Sequence, residues 1–300
     1  YQKFFKTYKD INTLAMTGYS SDIKKNLIEE YFPCLVEYSQ EQAQKEGILN
    51  STPITFIKFD LCKEKNIKVE YDKGNKSFMQ SENHAYAYWD TEIAKSMAKL
   101  NSAEKVAMAT NNYSEVSKVQ GLLKMQANKR AEILLNLQSS AGIARRVIDE
   151  MLVKKPTSKI VVFSKRTVQA NRISPYTYHG GNNTATNDRY FDEFNSGKIK
   201  ELALVEKINR GVNMKNLDYA IFESFYSSDT KLRQKLGRLM RLDPDDLANI
   251  FILLPYFMKK TAEGFVQSPT VAVRWANAML TGWNTDSAKI LDWRQIKSNI

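Results

Sequence analysis

Between residues 159 and 254 short apolar runs alternate with helix-like stretches, and this alternation leaves few folds open. Residues 159–163 read as a buried strand, with 164–170 starting the turn and helix that follow. Residues 176–180 form a second strand ending in a loop, and 187–197 an amphipathic helix with Tyr190, Phe191 and Phe194 inward. Residues 199–205, 219–222 and 249–254 supply three more strands, with a helix at 230–241 before the last. Strands that are apolar throughout must be buried on both faces. The pattern predicts an α/β fold, a mostly parallel sheet with helices on both faces. In such folds function gathers on the loops leaving the C-terminal ends of strands.

The helix at 230–241 carries the most chemistry. Gln234, Gly237, Arg238 and Arg241 form a Q-x-x-G-R-x-x-R pattern, with Leu232, Leu236 and Leu239 between them. At helical spacing Gln234, Arg238 and Arg241 share one side, the leucines supply a packing side, and Gly237 permits close approach of another backbone. Two guanidiniums one turn apart can grip a polyphosphate through bidentate bonds that lysine cannot copy. Taken alone, an arginine-rich helix is often only a solvated face.

Upstream, residues 11–17 read as a short strand before a turn at 18–22, and 21–31 as a short helix before Pro33. A strand starts at Val36, residues 40–47 suit a helix, and 53–61 are strand-like. Residues 63–85 are polar with a hairpin turn or exposed loop at 72–75, and Tyr86, Tyr88 and Trp89 suit a packed aromatic corner better than base stacking. One or two helices follow at 90–111, then amphipathic helices broken near 139–142. Asp149 and Glu150 imitate a magnesium-binding acidic pair but continue a helical pattern. Residues 260–281 suit a helix, and Trp275, Trp283 and Trp293 suit packing of a C-terminal extension.

A hydrophobic share of 43% and a charged share of 26% suit a globular chain, and a formal net charge of +11 favours an anionic partner. Only Cys34 and Cys62 stand beside the two histidines, His84 and His179, so neither a disulfide framework nor a metal cluster is signalled. A reducing, cytoplasmic setting fits this cysteine usage. No apolar run is long enough to span a membrane and no signal peptide is legible. The chain opens at Tyr1, without an initiator Met, in an already globular-looking stretch, which suggests a piece of a longer protein or a processed product.

Together these pieces resemble, in order, the second half of superfamily 2 helicases and translocases, most of all the phage and repair-type double-strand DNA helicases. Gln234, Gly237, Arg238 and Arg241 match the family's last motif. Met16, Thr17 and Gly18 match the segment closing the first motor lobe, with Tyr19 and Ser20 replacing its usual Thr-Pro. Tyr38, Ser39, Glu41, Ala43, Gly47, Ile48 and Leu49 resemble the crossover between lobes. Ser164, Lys165 and Arg166 match a strand-end motif that touches the nucleic-acid backbone, and His179 with Gly180 matches the pair after the next strand. Arg189 takes the place of an arginine common in the following helix. In the loop 206–213, Gly211 and Asn213 match, while Arg210 replaces a frequent acidic residue.

The resemblance implies a RecA-like, P-loop NTPase-type helicase C-terminal lobe preceded by a helical segment. Its implied domains are 1–60, end of the first lobe and crossover; 61–152, linker or insertion and helices; 153–260, the second lobe; and 261–300, a C-terminal extension. It implies that Arg238 and Arg241 reach across a cleft to the γ-phosphate and Gln234 orients water or phosphate. Gly211, Asn213, Gly237, Thr17 and Gly18 would lie near the nucleotide. Ser164, Lys165, Arg166, His179, Gly180, Arg189, Lys207 and Arg210 would face DNA, double-stranded or forked. ATP and Mg2+ would be held mainly by a first lobe in cis or on another chain, in a bacterial, phage-infected or other reducing DNA-containing compartment. No membrane and no metal site of the chain's own is implied. The sequence has no G-x-x-x-x-G-K-[S/T] and no strand-end acidic box, so the chain alone is expected to hydrolyse ATP poorly. Two other classes stay open: a non-catalytic nucleic-acid-binding or regulatory module, and a protein-docking domain using the tryptophan-containing tail.

Overall fold

The computed structural model describes residues 54–71, 76–205, 216–223, 248–261, 264–267 and 289–295, with Gln42, Glu46 and Met214. Strands β1 (Ile54–Asp60), β2 (Ile67–Tyr71) and β3 (Lys76–Gln80) come first. Helices α1 (Glu82–Thr110), α2 (Ser114–Leu135) and α3 (Gln138–Lys154) follow. Then come β4 (Ile160–Ser164), α4 (Thr167–Ile173), β5 (Thr177–Tyr178), α5 (Thr184–Asn195) and β6 (Glu201–Val205). The last described elements are β7 (Tyr219–Phe222), β8 (Asn249–Tyr256), β9 (Met258–Thr261), β10 (Gly264–Gln267) and β11 (Lys289–Asp292).

Seven strands form one sheet in the order β11-β1-β8-β7-β4-β6-β5, and every pairing in it is parallel. Successive residues along a strand point to opposite faces, so each central strand feeds two cores. From β4, Ile160 and Val162 enter one core while Val161 and Phe163 enter the other. The first core is covered by α3, through Ala144, Val147, Ile148 and Met151, and by Ala170 and Ile173 of α4. The second is covered by α5, where Phe194 is fully buried and Tyr190 and Phe191 are half-buried against it. This is the double-sided burial that the unbroken apolar runs require. β1 and β11, drawn from segments assigned above to the crossover and the C-terminal extension, pair into this same sheet.

α1 and α2 form an antiparallel hairpin, since Lys99 pairs with Glu115 while Arg130 pairs with Asp90. Ser81 caps α1, its hydroxyl accepting from the His84 backbone N–H, and Asn111 closes it in the left-handed conformation at φ 53°. The root of the hairpin is fastened by one carboxylate. Glu82 is fully buried; it accepts from the backbone N–H of Cys62 at 2.9 Å, from that of Ser139 at 3.1 Å, and from the Ser139 hydroxyl. Leu137, the N-cap of α3, has no side-chain cap of its own, so Glu82 caps α3 from elsewhere in the chain.

Several boundaries differ from the sequence expectation. Residues 82–110 are one helix, and the break comes at Asn136 and Leu137, with Ser139 and Gly142 inside α3. Glu82 explains this, because it accepts from the Ser139 N–H and hydroxyl and so caps a helix that starts at 138. The second forecast strand shrinks to Thr177–Tyr178 because the chain turns at His179. Met258–Thr261 and Gly264–Gln267 pair antiparallel as β9 and β10 where a helix was expected to begin at 260, and the rest of that forecast lies outside the described residues. β2 and β3 pair antiparallel from Tyr71 opposite Lys76, around the 72–75 turn that itself lies outside them. Tyr86 and Trp89 are buried, Tyr86 lying 4.2 Å from Phe257 between ring centroids, as the packed corner requires. Trp293 packs on the first core with the Arg146 guanidinium 4.6 Å from its ring centroid. Among the described residues no helix is long and apolar enough to cross a membrane.

The Glu82 junction makes a direct prediction. Glu82→Ala strips a charged acceptor from three buried or half-buried donors and should destabilise the chain by about 3 kcal/mol, measured by urea unfolding. A loss below about 0.5 kcal/mol would show that the carboxylate does not hold the junction.

Candidate nucleic-acid interface

Because the sheet is wholly parallel, the C-terminal ends of its strands lie along one rim. Register fixes their neighbours: Ser164 sits opposite Val205, Phe163 opposite Phe222, and Tyr178 opposite Leu204. The end of β4 therefore lies between the ends of β6, at Val205, and β7, at Phe222, and the end of β5 lies beside β6.

Of the three residues at the end of β4, Ser164 is fully buried, and its hydroxyl has no hydrogen-bond partner among the described residues. Lys165 is half-buried and Arg166 exposed. Arg166 also starts α4, its carbonyl accepting from the Ala170 N–H at 3.1 Å. The rim thus presents the Arg166 guanidinium at the surface beside a half-buried Lys165.

His179 is built into its loop. It is 5% exposed, and its backbone N–H donates to Asn187 Oδ1 at 3.2 Å while its carbonyl accepts from Asn187 Nδ2 at 3.0 Å. The Gly181 N–H donates to His179 Nδ1 at 3.0 Å, so the ring proton belongs on Nε2, which faces Asn171 Oδ1 at 3.2 Å. Burial lowers the imidazole pKa below its ordinary value of 6.5. A side chain at Gly181 would bring its Cβ to 3.1 Å from the His179 ring. The ring thus shapes the loop, while Gly180 lies on the surface.

After this loop, Asn183 caps α5 by accepting from the Thr186 N–H at 2.7 Å, and Asn182 Nδ2 donates to the Thr177 carbonyl at 2.6 Å. Sequence reasoning passed over Asn182, Asn183 and Asn187. Their signal was the Gly-Gly-Asn-Asn run, a turn followed by a helix start. Arg189 is exposed on α5, its guanidinium 4.9 Å from the Tyr190 ring centroid.

A second feature missed in the sequence lies beneath the rim. Glu223, directly after β7, is 3% exposed and accepts from Gln169 Nε2 at 3.0 Å. The same amide donates to the Leu137 carbonyl at 2.6 Å, and Gln169 Oε1 accepts from Arg172 at 2.8 Å. The only hint was a carboxylate ending an apolar run.

Asp149 and Glu150 lie on α3, as their helical pattern required. Asp149 accepts from Arg145 Nε at 3.0 Å and Nη2 at 2.7 Å, on a helix surface rather than at a strand end. Gln234, Gly237, Arg238, Arg241, Lys207, Arg210, Gly211, Asn213, Thr17 and Gly18 lie outside the described residues. Among the described residues no three His, Cys, Asp or Glu side chains gather to hold a metal ion.

His179 ties loop stability to pH. Its folded pKa is depressed, so its contribution is complete above 6.5 and is lost as pH falls from there through the lower folded value. Unfolding free energy measured from pH 7.5 down to 5 should drop more steeply for the native chain than for His179→Gln; parallel curves would show that the ring is not the titrating group.

Residues 143–243, a third of the chain, match the family model described as the helicase conserved C-terminal domain. No curated protein sequence matches the chain. The helicase domain of Hef from Pyrococcus furiosus is similar in structure, with TM-score 0.50 and 12% identity, over 80% of this chain and 62% of that one. S. cerevisiae Dbp5 bound to RNA and ADP BeF3 aligns at TM-score 0.39 and 14% identity, over 51% of this chain and 39% of that one. The UvsW structure of T4 aligns at TM-score 0.41 and 16% identity, over 55% and 37% respectively. The chain thus spans less than two thirds of each of these three structures.

Proposed function

We propose, on the premise that residues 143–243 are the RecA-like C-terminal lobe of a superfamily 2 helicase-like protein, that this chain is the trans-cleft half of an ATP-dependent DNA helicase or translocase. The observation that supports the reading is the position of Lys165 and Arg166 on the rim where β6 ends at Val205 and β7 at Phe222, all within the matched segment.

In this reading Lys165, Arg166 and Arg189 hold the nucleic-acid backbone, together with Lys207 and Arg210 of the following loop. His179 gives its loop a fixed shape, with Gly180 at the surface. Gln234, Arg238 and Arg241 face the nucleotide, where guanidiniums stabilise charge developing on the transferred phosphoryl group. ATP and Mg2+ belong mainly to a first lobe, because this chain carries no G-x-x-x-x-G-K-[S/T]. Closure and opening of the cleft would then move phosphate contacts along a strand. The choice of DNA over RNA rests on resemblance to phage and repair-type enzymes.

Arg166→Ala and Lys165→Ala should each weaken binding to a DNA duplex, and each should lower the slope of log K against log salt by about one counterion. Equal slopes for native and variant chains would remove these residues from the interface.

For the motor itself, nucleic-acid-stimulated ATP hydrolysis is measured with the complete natural protein, on DNA and RNA in parallel. Arg238→Ala or Arg241→Ala should cut kcat by about a hundredfold or more, and the chain alone should turn over little ATP. A natural protein that binds nucleic acid but never hydrolyses ATP would make the chain a helicase-shaped binding module. Stimulation by RNA alone would move the substrate class.

A further inference from the structure

The two edges of the seven-stranded sheet are built differently. At one edge stands β5, only two residues long, and so short a strand offers little backbone for another chain to pair with. Toward the other edge lies β1, the seven residues Ile-Thr-Phe-Ile-Lys-Phe-Asp, with no proline and its charges only at Lys58 and Asp60. A run of β-branched and aromatic residues this long makes an edge that recruits further strands. Residues 289–292 cover that edge as β11, parallel to β1 from Thr55 opposite Lys289 to Lys58 opposite Asp292.

β11 is unlike the strands it joins. β4 and β6 are buried at every position, whereas Lys289 and Ile290 are exposed, Ile290 at 48%, and Leu291 and Asp292 are half-buried. Little apolar area holds β11, so its hold on the sheet comes from backbone pairing with β1 and from the turn Trp293–Gln295 that follows. That turn is closed by its own side chains. Asp292 Oδ1 accepts from the Arg294 N–H at 3.0 Å, and the Asp292 N–H donates to Gln295 Oε1 at 3.1 Å. The turn carries two anchors. Trp293 packs half-buried on the first core, with the Arg146 and Arg294 guanidiniums 4.6 and 5.2 Å from its ring centroid. Arg294 pairs with Asp60, the last residue of β1. Backbone pairing along an edge plus one aromatic anchor is how an extended peptide docks on a sheet.

We infer that the outer edge of β1 is a strand-acceptor site and that residues 289–295 are its detachable occupant, a clasp seated by Trp293 and Arg294. Bound, the clasp replaces a long apolar edge with a short one that carries an exposed lysine, Lys289. Released, it leaves β1 open to an extended segment of the same chemistry, apolar residues along the strand and Trp-Arg beyond it. The inference does not rest on the motor reading.

Amide hydrogen exchange is followed in the full chain and in its Trp293→Ala and Arg294→Ala variants. The β1 amides should exchange about tenfold faster or more in Trp293→Ala, and by a smaller factor in Arg294→Ala, while β4 and β6 amides keep their native rates. A labelled synthetic peptide of residues 287–297 is then titrated onto the same three chains. It should bind Trp293→Ala about tenfold more tightly than the native chain, whose own clasp competes for the site, and a peptide carrying Trp293→Ala should lose that binding. If Trp293→Ala fails to fold, Arg294→Ala decides the matter by the same two readouts. Native β1 exchange in the variants, or equal acceleration of β1, β4 and β6, overturns the inference. So does a peptide that binds native and variant chains alike, or binds none of them.

Discussion

Parallel pairing of all seven sheet strands is the constraint on which the rest of the molecule depends. Parallel neighbours need a crossover between them, and crossovers put helices on the faces, so both faces of the sheet must be apolar. The same geometry gathers every strand's C-terminal end along one rim. Ser164, His179 and Glu223 are far apart in sequence, yet each stands within a residue of such an end. Backbone groups at strand ends have no further ladder partner, which is why this rim collects polar side chains.

The rim divides its polar residues by depth. Ser164, His179, Gln169 and Glu223 are buried and spend their hydrogen bonds, where they have them, on shaping loops and holding strand ends. Arg166 and Arg189 are exposed, with Lys165 between the two states. The cations therefore lie outside a buried hydrogen-bonded frame.

Glu82 extends the same logic to the helical hairpin. By capping α3 from the root of α1, it binds the hairpin to the body of the sheet through one buried carboxylate. The next residue of α3, Ser140, reaches the end of β7, so hairpin and rim share one helical turn.

The α/β alternation, the five strands between 159 and 254 and the helical character of Asp149 and Glu150 were legible in the sequence. Each follows from residue type and local period, which act over a few positions. The resemblance to superfamily 2 was legible for the same reason, since short motifs keep their spacing along the chain. What only tertiary structure decided was partnership at long range. The break before α3 sits at 136–137 because Glu82 reaches it. His179, which motif matching turned toward nucleic acid, is enclosed because Asn187 and Gly181 take up its polar atoms. Gln169 and Glu223 meet only after β7 pairs with β4. Periodicity says which face of an element is apolar, but a buried polar side chain gets its role from whichever distant group the fold brings to it.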